Sequence, residues 1–178
     1  MINADVFFLF YIIVFGFIGT TRGWVREVIV TFAMMFALFV YSLPQFNQIM
    51  TPLTNQGDPL WRFFWRALPF IMITFFGYLS PVVARGRLAA TASNRFEHGL
   101  LSFLIGMFNG YLFFSSLAFW ALNSGMLDAP QYASLWMAPT GGWNNFFFIK
   151  SAAPVIFSGT LLIFIVILIF LFVIIVLI

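Results

Sequence analysis

The stretch Gly19–Val28, GTTRGWVREV, separates two apolar runs, FFLFYIIVFGFI at 7–18 and VIVTFAMMFALFVY at 28–41. Arg22, Arg26 and Glu27 stand in a gap too short for an ordinary loop. About 20 apolar residues are needed to cross a hydrocarbon core of about 30 Å. The gap therefore reads as a hairpin between two spanning helices, pinned at the membrane surface by snorkelling arginines. Arg22 follows the end of the first helix, where a cation is favoured, and Glu27 opens the second, where an anion is favoured. Arg26 is the misfit and needs a partner: Glu27 beside it, a lipid phosphate, or an acid on another chain. Arg22 and Arg26 share a face if the turn is helical, and Gly19 and Gly23 let the chain reverse. The functional reading makes Arg22, Gly23, Trp24, Arg26 and Glu27 an anionic docking site for lipid or a partner. On that reading Arg26→Ala is expected to harm assembly or function more than Arg62→Ala.

The rest of the chain has the same solvent preference. Of 178 residues, 63% are hydrophobic and 7% charged, against about a quarter charged in soluble domains. Such a chain needs a bilayer. The absence of cysteine removes disulfides, thiolate metal sites and cysteine nucleophiles. The net charge of +3 is a topology signal rather than one for nucleic acid. The N-terminus, MINAD, lacks the positive region of a cleaved signal peptide, so the first apolar segment is expected to be kept.

Five spanning segments are expected, at about Val6–Thr20, Trp24–Leu43, Ala67–Val83, Gly99–Leu122 and Val155–Ile178. Pro69 would sit in the first turn of the third, and Pro81 would kink or end it. The fifth ends on LFVIIVLI, which favours a natural chain continuing past Ile178. Between segments, PQFNQIMTPLTNQGDPLW (44–61) reads as a polar, proline-rich connection, and ARGRLAATASNRFEH (84–98) as a basic one able to form a short amphipathic helix. The connection 123–154 carries Tyr132, Trp136, Trp143 and Phe146–Phe148, and is expected on the membrane surface or against a partner. Connections one and three hold five arginines, against two arginines and Lys150 in connections two and four. That places the N-terminus outside and the C-terminus inside. Arg62 and Arg66, spaced i,i+4 beside Trp61 and Trp65, read as an interfacial helix start where arginine meets lipid phosphate.

Little in the chain suits catalysis. Its five acids, Asp5, Glu27, Asp58, Glu97 and Asp128, fall at segment ends or in connections, and none pairs at metal-ligand spacing. No ionisable residue lies near a segment centre, as a proton-coupled transporter would want. His98 is the one residue suited to a metal or a pigment magnesium. It reads as an interfacial histidine near Glu97 and Arg95, or as an axial ligand to bacteriochlorophyll or haem. Ser102, Gly106 and Gly110 form a small-residue stripe that lets helices approach closely in lipid. The stripe suits an internal seam against Gly16 and Gly19, or a seam with a partner. Asn109 and Ser115 could add hydrogen bonds between helices.

These pieces together resemble the CvpA family, the colicin V production proteins. The resemblance rests on Asp5 before an apolar run, on Arg22, Gly23, Trp24, Val25, Arg26 and Glu27 as R-G-aromatic-x-R-E, and on Arg95 with Gly106 and Gly110. It covers roughly residues 5–122. Asn109 stands where the family often has arginine, and the fifth segment lies outside the family's four-helix pattern. The resemblance implies a small, noncatalytic integral protein of the bacterial cytoplasmic membrane, linked with colicin V production and envelope integrity, and no cofactor. The expected organisation is a four-helix domain at 1–122, an aromatic-rich interfacial connection at 123–154 and an added helix at 155–178. The expected partners are the bilayer, anionic lipids and other membrane subunits. The competing reading is an accessory subunit of a photosynthetic or respiratory complex, contributing to assembly or to lipid, pigment or quinone packing.

Overall fold

A computed structural model describes residues 2–79, 95–133, 136, 137, 139 and 142–177. The protein is an all-helical membrane protein, apart from a two-residue parallel pairing of Ile2–Asn3 with Trp136–Met137. The long helices are α1 (Ala4–Arg22), α2 (Trp24–Ser42), α4 (Pro59–Leu79), α5 (Arg95–Asn123) and α9 (Gly159–Leu177). Shorter ones are α3 (Pro44–Thr54), α6 (Pro130–Ala133), α7 (Phe147–Lys150) and α8 (Ala153–Ile156). Among the described residues, three helices are long and apolar enough to cross a membrane: Ala4–Arg22, Trp24–Ser42 and His98–Asn123. A fourth exists if Phe147–Ile156 and Gly159–Phe172, bent by 71° at their junction, form one span. The helix α4 carries Arg62 and Arg66 in its first half. The basic connection at 84–94, with Arg85 and Arg87, lies outside the described residues, as does Pro81.

Gly23 alone turns the chain between α1 and α2. Its N–H donates to the Gly19 carbonyl (2.9 Å) and closes α1, while its carbonyl accepts from the Glu27 N–H (3.3 Å) and opens α2. Its φ of +90° and ψ of 148° approach a region that is essentially glycine-only. Gly23→Ala is therefore expected to cost about 1–3 kcal/mol through backbone strain, although a Cβ there would meet nothing within 4 Å. Thermal unfolding in detergent checks this, and an unchanged midpoint would remove the strain argument. Gly19 is not itself a turn glycine: it is helical, lends its carbonyl to the closing bond and packs on α5.

Three sequence expectations change here. The connection 44–61 contains a helix, α3, because Pro44 occupies its first position after an extended Leu43. Pro69 lies inside α4 rather than in its first turn, because Asp58 and Pro59 start that helix earlier. The Asp58 carboxylate accepts from the Trp61 N–H at 3.0 Å, as an N-cap does. The aromatic connection folds back on its own chain rather than lying only at a surface. Phe146 and Ile149 are buried with Phe8 of α1 and Ala118 and Ala121 of α5, and Phe8 stacks on Phe148 with centroids 5.2 Å apart.

The helices α2 and α5 form the middle of the bundle. Met34, Met35 and Leu38 of α2 pack with Phe70 of α4, Leu112 and Trp120 of α5, and Leu162 of α9. The helix α1 lies along α5 rather than along its sequence neighbour α2. The segment before α9 is tied to α5 by two bonds. The Tyr111 hydroxyl donates to the Ser151 carbonyl, and the Ala153 N–H donates to Ser115 Oγ at 3.2 Å. Outward faces carry large apolar side chains such as Phe10, Phe17, Phe76, Phe164 and Leu168, as lipid contact requires.

Candidate functional site

The charged turn continues into a buried polar cluster where α1, α2, α4 and α5 meet. Glu27 lies four residues into α2, on the face that carries Val30, Thr31 and Met34 inward. Its carboxylate is only 1% exposed. A lone buried carboxylate would be costly, so its surroundings decide whether it can remain charged. Each oxygen has a partner. Arg22 Nη1 lies 2.8 Å from Oε1, and Asn109 Nδ2 donates to Oε2 at 2.9 Å. The same amide nitrogen donates to the Glu27 carbonyl at 2.9 Å, so both amide protons are engaged. Asn109 Oδ1 in turn lies 2.7 Å from the Thr31 hydroxyl.

Arg22 closes the cluster on its outer side. Its Nη2 donates to the Tyr78 carbonyl at 3.0 Å, and its guanidinium carbon lies 4.4 Å from the centroid of the Tyr78 ring. One guanidinium thus binds a carboxylate, the last turn of α4 and an aromatic face, which suits arginine's planar fork. At 18% side-chain exposure it bridges the interior and the surface. The Tyr78 and Thr74 hydroxyls are buried with no hydrogen-bond partner among the described residues.

The sequence residues sort differently from their order in the chain. Glu27 pairs with Arg22, not with Arg26 beside it. Adjacent helical residues do not face each other, and α2 turns Glu27 inward. Arg26 is half-buried and makes no ion pair among the described residues. The helix break at Gly23 means that Arg22 and Arg26 do not share a continuous helical face. Thr31 and Tyr78 join the site only once the helices are packed. Thr31 carries a legible signal, since it lies four residues from Glu27 and so on the same face.

The stripe Ser102, Gly106 and Gly110 faces α1. A methyl group at Gly106 would stand 2.5 Å from the Phe15 carbonyl oxygen, and one at Gly110 would stand 3.1 Å from the Ile12 Cα. A methyl group at Gly19 would strike the Ser102 carbonyl. The backbones themselves are in contact along this seam, and so Asn109 reaches α2 from the neighbouring face of α5. His98 is half-buried near the start of α5, and its carbonyl accepts from the Ser102 hydroxyl at 2.7 Å. No group of three or more metal-ligating side chains occurs among the described residues.

As chemistry, the cluster joins helices. Its carboxylate has both oxygens engaged and its amide is saturated, and together they fix the angle of α2 against α1, α4 and α5. No family model, curated protein or solved structure matches this chain.

Proposed function

We propose that this chain is a noncatalytic, CvpA-like protein of the bacterial cytoplasmic membrane that supports export or envelope homeostasis. In this reading it has five spanning segments, with α4 and the bent α7–α9 unit completing the set. Its N-terminus is outside, its C-terminus is inside, and it carries no cofactor. The observation that carries the reading is the fate of the R-G-W-V-R-E stretch. The two ionisable ends of that stretch, Arg22 and Glu27, close on each other between helices, as residues do that build a membrane scaffold.

Gene deletion followed by dye-uptake and detergent-sensitivity assays tests the reading. Leakage is expected in the deletion strain, restored by the wild-type gene and poorly restored by Arg22→Ala. Arg22 now takes the rank given to Arg26 on sequence grounds, and both are expected to exceed Arg62→Ala. An intact envelope in the deletion strain would sink the proposal.

A second reading, an accessory subunit of a photosynthetic or respiratory complex, is favoured by one observation. The helix α9 has no polar side chain after Thr160, and it exposes Phe164, Leu168 and Ile175. Mild-detergent purification at native level separates the two. Co-purification with a pigmented or redox complex supports the subunit reading. In that case His98→Ala should change the absorption spectrum if His98 ligates pigment.

A further inference from the structure

At the end of the bundle away from Gly23, the C-terminal turn of α2, the helix α3, the first half of α4 and the end of α5 line an open cleft of about 550 Å³. Its walls include Tyr41, Asn47, Thr51, Asn55, Arg66 and Trp120. A second cavity of about 300 Å³ shares Tyr41, Asn47, Phe119 and Trp120 with the first, then runs past Leu38, Phe157 and Leu162 toward α9. Tyr41 and Trp120 stack at 4.8 Å and form the wall common to both. Both volumes are in or near the range of about 300–1,000 Å³ typical of small-molecule sites.

The polar wall is largely self-satisfied. The Tyr41 hydroxyl donates to the Arg66 carbonyl. Asn47 Nδ2 lies 3.1 Å from the Tyr41 carbonyl, the Thr51 hydroxyl donates to the Asn47 carbonyl at 2.6 Å, and Asn123 Nδ2 donates to the Phe119 carbonyl at 2.9 Å. The Arg66 guanidinium is the charge that remains. Arg62 precedes it by one helical turn, with its Nε buried and lacking a hydrogen-bond partner among the described residues. No acidic side chain among the described residues forms an ion pair with either arginine. A half-buried guanidinium without a carboxylate suits a bidentate phosphate contact, and a cavity whose one charged lining side chain among the described residues is Arg66 disfavours a headgroup carrying a cation of its own. The adjoining apolar crevice suits a hydrocarbon chain.

We propose that these adjoining cavities bind an anionic phospholipid across the Tyr41–Trp120 rim they share, its phosphate held by Arg66 and one acyl chain lying along Leu38, Phe157 and Leu162. The site stands apart from the Arg22–Glu27 cluster and does not depend on the CvpA-like reading. It selects by charge and by the presence of a chain, because the other headgroup contacts are already engaged.

The test uses the full chain purified in a zwitterionic detergent and titrated with phosphatidylglycerol, phosphatidylcholine or sn-glycerol 3-phosphate. The readouts are the thermal unfolding midpoint and native mass spectrometry. Phosphatidylglycerol is expected to bind about tenfold more tightly than phosphatidylcholine, and glycerol phosphate more weakly than either lipid. Arg66→Gln should reduce phosphatidylglycerol binding about tenfold. Thr51→Trp, at an exposed position lining the cavity, should reduce it without changing charge, and it keeps the test decisive if Arg66→Gln does not fold. Lys150→Gln, which removes a cation elsewhere, should leave binding unchanged. Equal binding of the two lipids would overturn the proposal, as would glycerol phosphate saturating at the concentration of the lipid. So would phosphatidylglycerol affinity surviving Thr51→Trp.

Discussion

Arg22→Ala is expected to destabilise the protein by about 3–5 kcal/mol, the usual cost of leaving one member of a buried ion pair unpaired. Adding Glu27→Gln to the same chain is expected to recover part of that loss. The asymmetry follows from burial. Arg22 is 18% exposed, while the Glu27 side chain is 1% exposed. Losing Glu27's charge leaves a guanidinium that still has the Tyr78 carbonyl and ring and reaches the surface. Losing Arg22 leaves an anion in the interior with one amide as its charge-stabilising side chain. Glu27→Gln retains an oxygen for Asn109, so alone it should cost less than Arg22→Ala. Reversible unfolding in mixed micelles of the wild type, both single variants and the double variant forms a complete cycle. A double variant less stable than Arg22→Ala would mean that the charge on Glu27 is not what makes the loss of Arg22 expensive.

The second large effect lies on the glycine seam, where two glycines of one helix should respond with opposite signs. Alanine is a better helix former than glycine by about 0.5–1 kcal/mol. At Gly99 a Cβ meets nothing within 4 Å, so Gly99→Ala should stabilise by up to that amount. At Gly106 the same Cβ would stand 2.5 Å from the Phe15 carbonyl oxygen, 3.1 Å from the Gly19 Cα and 3.2 Å from the Gly16 Cα. These are backbone atoms, so relief requires α1 to move away from α5. Overpacking of this kind costs about 1–3 kcal/mol and sometimes more, which outweighs the propensity gain. Gly106→Leu should separate the pair and draw Asn109 off Glu27. Unfolding midpoints of the three variants measure the contrast. A destabilised Gly99→Ala, or a neutral Gly106→Ala, would show that the seam is looser than described.

How much of this was legible in the sequence depends on whether the cause was local. The apolar runs of α1, α2 and α5 announce themselves because spanning length is a local property. Gly23 is legible as a turn, and Arg22 as a cation suited to a helix end. The partner of Glu27 was not, since adjacency in sequence pointed to Arg26 while helix geometry turns neighbours to different faces. Asn109 could be marked as a polar residue within an apolar helix, but its acceptor lies 82 residues earlier. The glycines Gly16 and Gly19 could be matched to Gly106 and Gly110 because small faces seek each other in lipid. Helix α3 was hidden by two prolines and polar side chains. Its first proline starts the helix, and the second, Pro52, lies in the last turn. The folding-in of Phe146–Ile149 was hidden because Phe146 and Phe148 read as interfacial aromatics until Phe8 supplies their partner.

The separation between Glu27 and Asn109 also sets an order of events during synthesis. The hairpin of α1 and α2 leaves the ribosome first, carrying a carboxylate that has Arg22 but not yet its amide. The helix that supplies the amide is also the one on which α1 packs. Until α5 has entered the bilayer, the first two helices lack both their glycine seam and half the ligation of Glu27. The contacts that complete the charged turn and seat α1 thus both come from α5, the later helix in the chain.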